Sequence, residues 1–573
     1  MKGTEAHDVP HLARQLAAGL PAAVAERLCE PGRTDPAGFR AELQAALPVM
    51  GQPPTKSEPG KATDLYADLV ERWGQRGVPA AWFPAEGRRL SREALHLRAT
   101  ALASLWREAG AAPGQGVALV LPVGEPLLVA LLAAFQLGLV ASFVPPRGGL
   151  FVRRALEVLQ PDAVASHPRY GAWLGPWAER LLPAEGLGGS VAGSQGARSH
   201  AYAPGQPALK VLSVFSEPAF SPVLLPAEEV LWGAARDALL VYGLQPGDRL
   251  ALPGFDALQW QPSALLSALF AGAEWLEVDV PSLGTEQGRE QFRPTVTGVT
   301  AGLRHLWSEG PPSFPGLRRW VKNPLEPYDW SAWDGFARRL SEHGGARGIN
   351  VVGSAAAGGV QLFSVPPREG TDLGLFPVPG QPYLLEDFLG NAQPAVGNTG
   401  VYWPLGGVPA GAMGRCVLVR ASQGSTFGGC MEVPWHGQRY PVEWVEAAAR
   451  GVKGIRDAAV WIQSSSELLN AGQVRLLCFM DATARGADAG ALAREVEREV
   501  TAQCGPSATP TTVRAYPLSP RRLPDGHVDA TWCRWQAQSG ALDARAQDGL
   551  YRELTLGRQW AERLVSAHAA EPG

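Results

Sequence analysis

Lysine is scarce in this chain of 573 residues. There are six, Lys2, Lys56, Lys61, Lys210, Lys322 and Lys453, among 51 basic residues. Chemistry that needs a catalytic or phosphate-gripping lysine has few places to go. Cysteine is equally rare. Cys29, Cys416, Cys430, Cys478, Cys504 and Cys533 are scattered, with no CxxC pair. That spacing speaks against a disulfide framework or a zinc site and fits a reducing, cytoplasmic setting. No GxSxG, HExxH or Walker A sequence occurs, so local hydrolase, zincin and P-loop signatures are absent. The opening MKGTEAHDVPHLARQL has no apolar run behind its charge, and no signal peptide is expected. One long apolar run exists, Leu127 to Val144, interrupted by Gln136, Gly138 and Ser142. Its length is marginal for a bilayer, and Gly138 divides it into a helix-like half and a β-branched half. It reads as a buried helix running into a buried strand, not a membrane span.

What is present describes an ordinary folded protein. Apolar residues make up 46% and charged residues 18%, and the net charge is -4. Nothing in that balance calls for nucleic acid as a partner. The length exceeds what one core supports, so more than one domain is expected. Residues 1–60 stand apart, with two short amphipathic helices (His11 to Leu28 and Pro36 to Leu47) and a Pro/Gly-rich linker from Gly51 to Gly60. This extension is either solvated or a docking element, and it is a candidate arm for a protein partner. Residues 280–345 read as helix and loop, and 348–419 as β-rich. A compact α/β segment follows, and residues 541–573 form a terminal helix, a second candidate partner surface. Cys430 and His436 are close in sequence, but inert cysteine is the commoner case. Trp307, Trp320, Trp330, Trp333 and Trp403 line an apolar pocket or anchor the core.

An internal repeat organises the middle of the chain. One copy runs from Gly110 through Pro113-Gly114, an apolar strand to Leu119, a helix from Leu127 to Gly138, and a strand from Val140 to Val144. The other runs from Gly243 through Pro246-Gly247, a strand to Leu252, a helix from Ala264 to Gly272, and a strand from Trp275 to Val278. Strand, helix, strand at this spacing implies parallel pairing by a right-handed crossover. Two copies predict two similar α/β subdomains packed together, each sheet covered on both faces.

Several short segments extend the pattern. Leu90-Ser-Arg-Glu-Ala-Leu95 precedes the first copy. Trp435-His-Gly437-Gln-Arg439 precedes a helix containing Glu443 and Glu446. Gly451-Val-Lys-Gly-Ile455 opens a strand, and Pro517-Leu-Ser-Pro520 is followed by Asp525-Gly-His527-Val-Asp529. In this order, over about residues 64–535, they resemble the adenylate-forming superfamily of AMP-dependent synthetases and ligases. The resemblance implies a large N-terminal domain (61–427) of two α/β subdomains and a β-rich region. A small α+β domain (428–540) would follow, then the terminal helix.

It also implies a reaction, in which a carboxylate and ATP give an acyl-adenylate. The parts for that reaction are missing where the family carries them. Its glycine-rich, lysine-containing phosphate loop corresponds to Ser213-Val-Phe215-Ser216-Glu217-Pro218-Ala-Phe-Ser221-Pro222, with no glycine, no lysine and two prolines. Proline removes an N–H donor and Glu217 adds a charge of the wrong sign, leaving the hydroxyls of Ser213, Ser216 and Ser221. Between strand and helix this reads as an ordinary connection. The adenine and magnesium motif corresponds to Val352-Gly353-Ser354-Ala355-Ala356. Gly353 keeps the turn, Ser354 stands beside it, and Ala356 offers no oxygen to a cation. Thr399-Gly400-Val401 has valine at the ribose aspartate, and Cys430-Met431 falls at the hinge without charge. His527 stands at the C-terminal catalytic lysine. Gly437 and Arg439 are retained.

The expectation is a degenerate member using no cofactor and no metal, acting as a binding or scaffolding partner in a biosynthetic or acyl-transfer assembly. The alternatives are an active AMP-forming ligase using ATP and magnesium by other means, and a binder of an apolar carboxylate, acyl group or CoA ester that skips ATP.

Overall fold

The computed structural model describes residues 21–28, 35–74, 77–183, 198–213, 221–307, 314–323, 330–364, 375–387, 391–392, 395–405, 416–420, 425–430, 434–435, 438–463, 473–484, 486–523, 528–549, 552 and 559. The chain divides into two compact units. One holds residues 1–145 and 155–439, the other 146–154 and 440–573.

The repeat folds as its pattern demands. In the first copy the strand Gly116–Val120, the helix Glu125–Leu137 and the strand Val140–Phe143 follow one another, and the two strands pair in parallel. In the second, Arg249–Ala251 and Glu274–Leu276 pair in parallel around the helix Ser263–Ala271. The two copies share their turns bond for bond. Gly114 N–H donates to Gly138 O (2.8 Å) and Gly247 N–H to Gly272 O (3.1 Å). Gln115 and Asp248 each accept a backbone N–H three residues back, from Ala112 (2.9 Å) and Gln245 (2.7 Å). Gly138 (φ 77°) and Gly272 (φ 72°) end their helices in the left-handed conformation that glycine adopts without a Cβ penalty. The apolar run from Leu127 to Val144 is thus a buried helix and a buried strand. Among the described residues no helix is long and apolar enough to cross a membrane.

Each copy belongs to its own sheet. The first lies in a five-stranded sheet of order Ala163–Ser166, Gly116–Val120, Val140–Phe143, Pro207–Leu212, Pro222–Pro226, the last strand antiparallel. The second lies in a nine-stranded sheet whose parallel centre runs Arg347–Ser354, Arg319–Lys322, Val296–Gly298, Arg249–Ala251, Glu274–Leu276, Pro79–Phe83. Antiparallel strands flank both ends. Two central strands, Val296–Gly298 and Arg319–Lys322, fall in the region read as helix and loop. They are three and four residues long, too short to show a period. In the core beside them Trp307 stacks on Phe336, and Trp320 and Trp333 stack on each other and meet Phe336 edge-on, so these tryptophans are anchors. The side chain of Trp330 lies outside the described residues. A four-stranded antiparallel sheet, Tyr383–Glu386, Thr399–Pro404, Cys416–Arg420 and Ser425–Cys430, makes up the β-rich stretch with the edge of the large sheet.

The N-terminal extension docks. Asp35 caps the helix Pro36–Ala46, accepting from the N–H groups of Ala37 and Gly38, with Pro36 in the first turn. Phe39, Leu43 and Ala46, spaced four and three apart, are buried. The linker is pinned as well. The Asp68 carboxylate accepts from the N–H of Lys56 (2.6 Å) and Ser57 (3.1 Å), and Gln44 donates to Ser57 O (3.0 Å). Thr63 and Tyr202 then exchange two backbone hydrogen bonds.

In the second unit, the strands Ile455–Gln463, Gln473–Met480 and Thr512–Tyr516 form a sheet with the helices Val442–Arg450, Ala489–Cys504 and Ala530–Gln538. Asp488 and Asp529 cap the last two helices. Ala459, Leu477, Phe479, Tyr516, Leu518, Cys533 and Leu542 form one of its cores.

Candidate functional site

Ser213 and Ser221, the described ends of the segment read as the phosphate loop, flank a hairpin. Pro207–Leu212 and Pro222–Pro226 pair antiparallel with Leu212 opposite Pro222, and Ser213 N–H donates to Ser221 O (3.1 Å). The expected passage straight into a helix is corrected, since a strand intervenes before the helix Ala227–Arg236. Its two prolines sit at its ends and it is the outermost strand, where a missing ladder donor costs least. Ser213 is buried, while Ser216 and the rest of 214–220 lie outside the described residues. Lys210 stands within the strand Pro207–Leu212, not at its start. Its ammonium donates to Leu159 O (2.6 Å), so the nearest lysine is already engaged.

The helix after this hairpin has its positive end occupied. A helix N-terminus carries a partial positive charge and free N–H groups that can hold an anion. Here Pro226 precedes the helix without a side-chain cap, and Glu228 and Glu229 fill the first turn. Arg40 of the docked extension reaches both, Nη1 to Glu228 (3.1 Å) and Nη2 to Glu229. Gly60 N–H adds a bond to Glu228 (2.8 Å).

The far end of the same helix is locked to the strand Gly359–Ser364, just past the second motif. Arg236 donates through Nε to Asp237 (2.8 Å) and through Nη2 to Val360 O (2.7 Å), and Asp237 accepts from Val360 N–H (2.8 Å). Burial pushes the Asp237 carboxyl upward against the pull of Arg236 and Val360. The approach leaves no room for a Cβ. One on Gly233 would lie 2.6 Å from Gly358 O, and one on Gly359 would lie 2.1 Å from the Asp237 carboxylate. The lock was missed in the sequence. Its one signal there is a charged pair inside the apolar run Ala234-Ala235-Arg236-Asp237-Ala238-Leu239.

The motif itself is the end of the strand Arg347–Ser354 and the short turn Ala355–Ala357. Gly353, Ser354 and Ala356 are all placed here. Gly353 is required by Gly359 O, which a Cβ would approach to 2.4 Å. Ser354 Oγ accepts from Ala357 N–H (3.2 Å), Gln259 donates to Gly353 O (2.8 Å) and Gln361 to Ala357 O (2.8 Å). Ala355, Ala356 and Ala357 are buried methyl groups. Among the described residues no group of three or more His, Cys, Asp or Glu side chains is placed to hold a metal.

The other sequence candidates lie elsewhere. Thr399-Gly400-Val401 is regular strand, with Val401 buried and opposite Val417. Cys430 ends the strand Ser425–Cys430, and its side chain lies outside the described residues. Arg439 pairs through its backbone with Pro434, whereas Gly437 lies outside the described residues. Arg522 and Val528 form a bridge, and His527 lies outside the described residues. Burial pushes the thiols of Cys478, Cys504 and Cys533 up to about 12, the opposite of an activated nucleophile.

The hairpin strand, the locked helix, the alanine turn and the docked extension enclose a pocket of about 150 Å³. Phe39 and Arg40 line it, together with Leu225, Trp232, Arg236 and Ala356.

No family model matches the sequence, and no curated protein does. Solved structures do match. The amide bond synthetase McbA from Marinactinospora thermotolerans is 18% identical, with 82% of this chain and 99% of that one covered at a TM-score of 0.65. A benzoate CoA ligase from Burkholderia xenovorans LB400 is 18% identical over 82% and 100% of the two chains, at a TM-score of 0.55. The o-succinylbenzoate CoA synthetase MenE from Bacillus subtilis, in double-mutant form, is 12% identical over 82% and 97%, at a TM-score of 0.64. The chain has the fold of the adenylate-forming enzymes.

Proposed function

We propose that this chain is a degenerate adenylate-forming protein that does not adenylate and serves as a binding or scaffolding partner in a biosynthetic or acyl-transfer assembly. The observation that carries the reading is the buried turn Ala355–Ala357. At the position corresponding to the magnesium-binding carboxylate stands Ala356, a methyl group 2% exposed. A hard divalent cation needs oxygen ligands. The neighbouring helix start adds to the case, because its positive end is neutralised by Glu228 and Glu229 and these in turn by Arg40. Engaged Lys210 removes the nearest substitute cation. Fold and activity separate readily, because activity resides in sites carried by folds.

The partner would be a protein of such an assembly. One matching structure is NpsA-ThdA from Klebsiella oxytoca, an artificially fused adenylation–PCP di-domain, 14% identical over 78% of this chain and 92% of that one at a TM-score of 0.61. The apolar face of Pro36–Ala46 is spent on the chain itself. A partner on the extension would therefore meet its outer side.

Calorimetric titration of the full chain with ATP and magnesium tests the reading, together with pyrophosphate exchange over a panel of aryl and fatty carboxylates. We expect no saturable heat and no exchange. Saturable binding with exchange on any carboxylate would replace this reading with that of an active ligase.

A further inference from the structure

We propose that Cys416 and Cys430 are an oxidation site, a thiol pair that strand register sets up to close into a reversible disulfide. The strands Cys416–Arg420 and Ser425–Cys430 are antiparallel neighbours, and Cys416 stands directly opposite Cys430. Among the described residues no other strand pairing sets cysteine against cysteine, since Cys478 lies opposite Ala458 and Ala515. Residues directly opposite on antiparallel strands have Cα atoms about 4.5 or about 5.5 Å apart, and a disulfide asks for about 4.4–6.8 Å. Opposed residues also share a face of the sheet. At Cys416 that face is the inner one, because Cys416 and Leu418 are buried while Val417 and Val419 between and beyond them are half-buried.

The pair stands at the open end of its hairpin. The register shifts between Val417 and Leu418, and only Val417–Gly429 and Cys416–Cys430 lie beyond that shift. Gly428 and Gly429 fall there too, and glycine weakens a strand by bringing no side chain to pack. A covalent bond between the cysteines would close this thinly held end. The chain enters the second unit at Tyr440, so the bond would fix the last strand of this sheet before that passage.

The oxidant is a low-molecular-weight disulfide, RSSR. One protein thiolate attacks it, forming a mixed disulfide and expelling one thiolate RS⁻. The second protein thiolate attacks the protein sulfur of that mixed disulfide, closes the Cys416–Cys430 bond and expels the other RS⁻. The two protein thiols give up two electrons and two protons, and RSSR becomes two RSH. Cys416 is 0% exposed and its strand lies inside the sheet, whereas Ser425–Cys430 is the outermost strand. Cys430 is therefore the first attacker and Cys416 the resolving thiol. The proposal stands whether or not the chain binds a nucleotide.

The test is oxidation of the full-length native chain with excess oxidised glutathione, then alkylation in denaturant and a tryptic digest without reductant. Cleavage after Arg415, Arg420 and Arg439 places Cys416 and Cys430 in separate peptides, 416–420 and 421–439. We expect these two peptides to be joined, as the dominant crosslink, with no glutathione retained, and dithiothreitol to part them. The crosslink should form faster in the native chain than in the same chain unfolded in guanidinium. Cys416→Ser should hold glutathione on Cys430, and Cys430→Ser should leave Cys416 a thiol, with circular dichroism as the folding control. Native thiols that both persist, a glutathione adduct on wild-type Cys430 that never closes, or a crosslink that forms no faster than in guanidinium overturns the assignment. The wild-type digest decides the matter even where a variant fails to fold.

Discussion

Removing one aromatic ring should release the N-terminal extension while the rest of the large unit stays folded. Phe39 is 4% exposed, and its ring lies so close to Gly380 that a Cβ there would come within 2.3 Å of it. Phe39→Ala forfeits the burial of the ring and leaves space continuous with the neighbouring pocket. Water can enter an opened cavity of that kind, which places the cost at the low end of the Phe→Ala range, about 3 kcal/mol. The loss falls on the local docking equilibrium of 35–60, because that segment contributes no strand to either large sheet. At 1.36 kcal/mol per decade, the undocked population rises about 100-fold. Native-state hydrogen exchange reads this directly. Amides within Pro36–Ala46 should exchange about two decades faster, while those of Ser263–Ala271 keep their rates. Val49→Ala, in the same segment but 57% exposed, is the control and should change little. Acceleration of less than tenfold, or an equal effect from Val49→Ala, would mean that the ring does not hold the extension.

Three further outcomes are expected. Glu277 is pushed from 4.5 up to about 7, chiefly by burial and then by Glu86, against a hydrogen bond from Trp275. The unfolded chain therefore releases this proton first. Stability should fall as pH rises from about 4.5 to about 7 and level off beyond, by about 3 kcal/mol in all, and Glu277→Gln should abolish that slope in urea melts. Cys478, Cys504 and Cys533 should resist iodoacetamide at pH 8 in the native chain and react on unfolding, as followed by intact mass. Gly359→Ala should cost about 3 kcal/mol or more in denaturant titration, because it meets both a φ of 110° and the Asp237 carboxylate.

What could be read in the sequence was what repeats or alternates. The two strand–helix–strand copies announced themselves by matching turn residues, and the turns formed the same hydrogen bonds in both. Val296–Gly298 and Arg319–Lys322 were not legible, because three or four residues in a buried parallel strand carry neither period nor polar face. The docking of Pro36–Ala46 was left open, since an amphipathic helix reads alike whether its apolar face meets the same chain or another. Near Gly353, a turn after a strand followed from order along the chain. The Arg236–Asp237 lock did not, because its partner Val360 lies 124 residues away and adjacent opposite charges usually mark a solvated surface.

The alanine turn is held in place by its backbone. Three side chains hold this turn through its backbone groups. Gln259 holds Gly353 O, Gln361 holds Ala357 O, and the Ser354 hydroxyl holds Ala357 N–H. The locked helix grips the next residue in the same way, with Arg236 and Asp237 taking both polar groups of Val360. None of these ties uses the side chain of residue 355 or 356. Substitution there alters what the turn can bind without loosening what holds it. A similar division appears at the helix start, where Arg40 and Gly60 satisfy Glu228 from a segment outside the repeat. On the proposed reading, selection for catalysis could lapse at these positions while selection for the backbone network continued. Stability then constrains Gln259, Gln361, Arg236 and Asp237 more tightly than the residues that once faced a nucleotide.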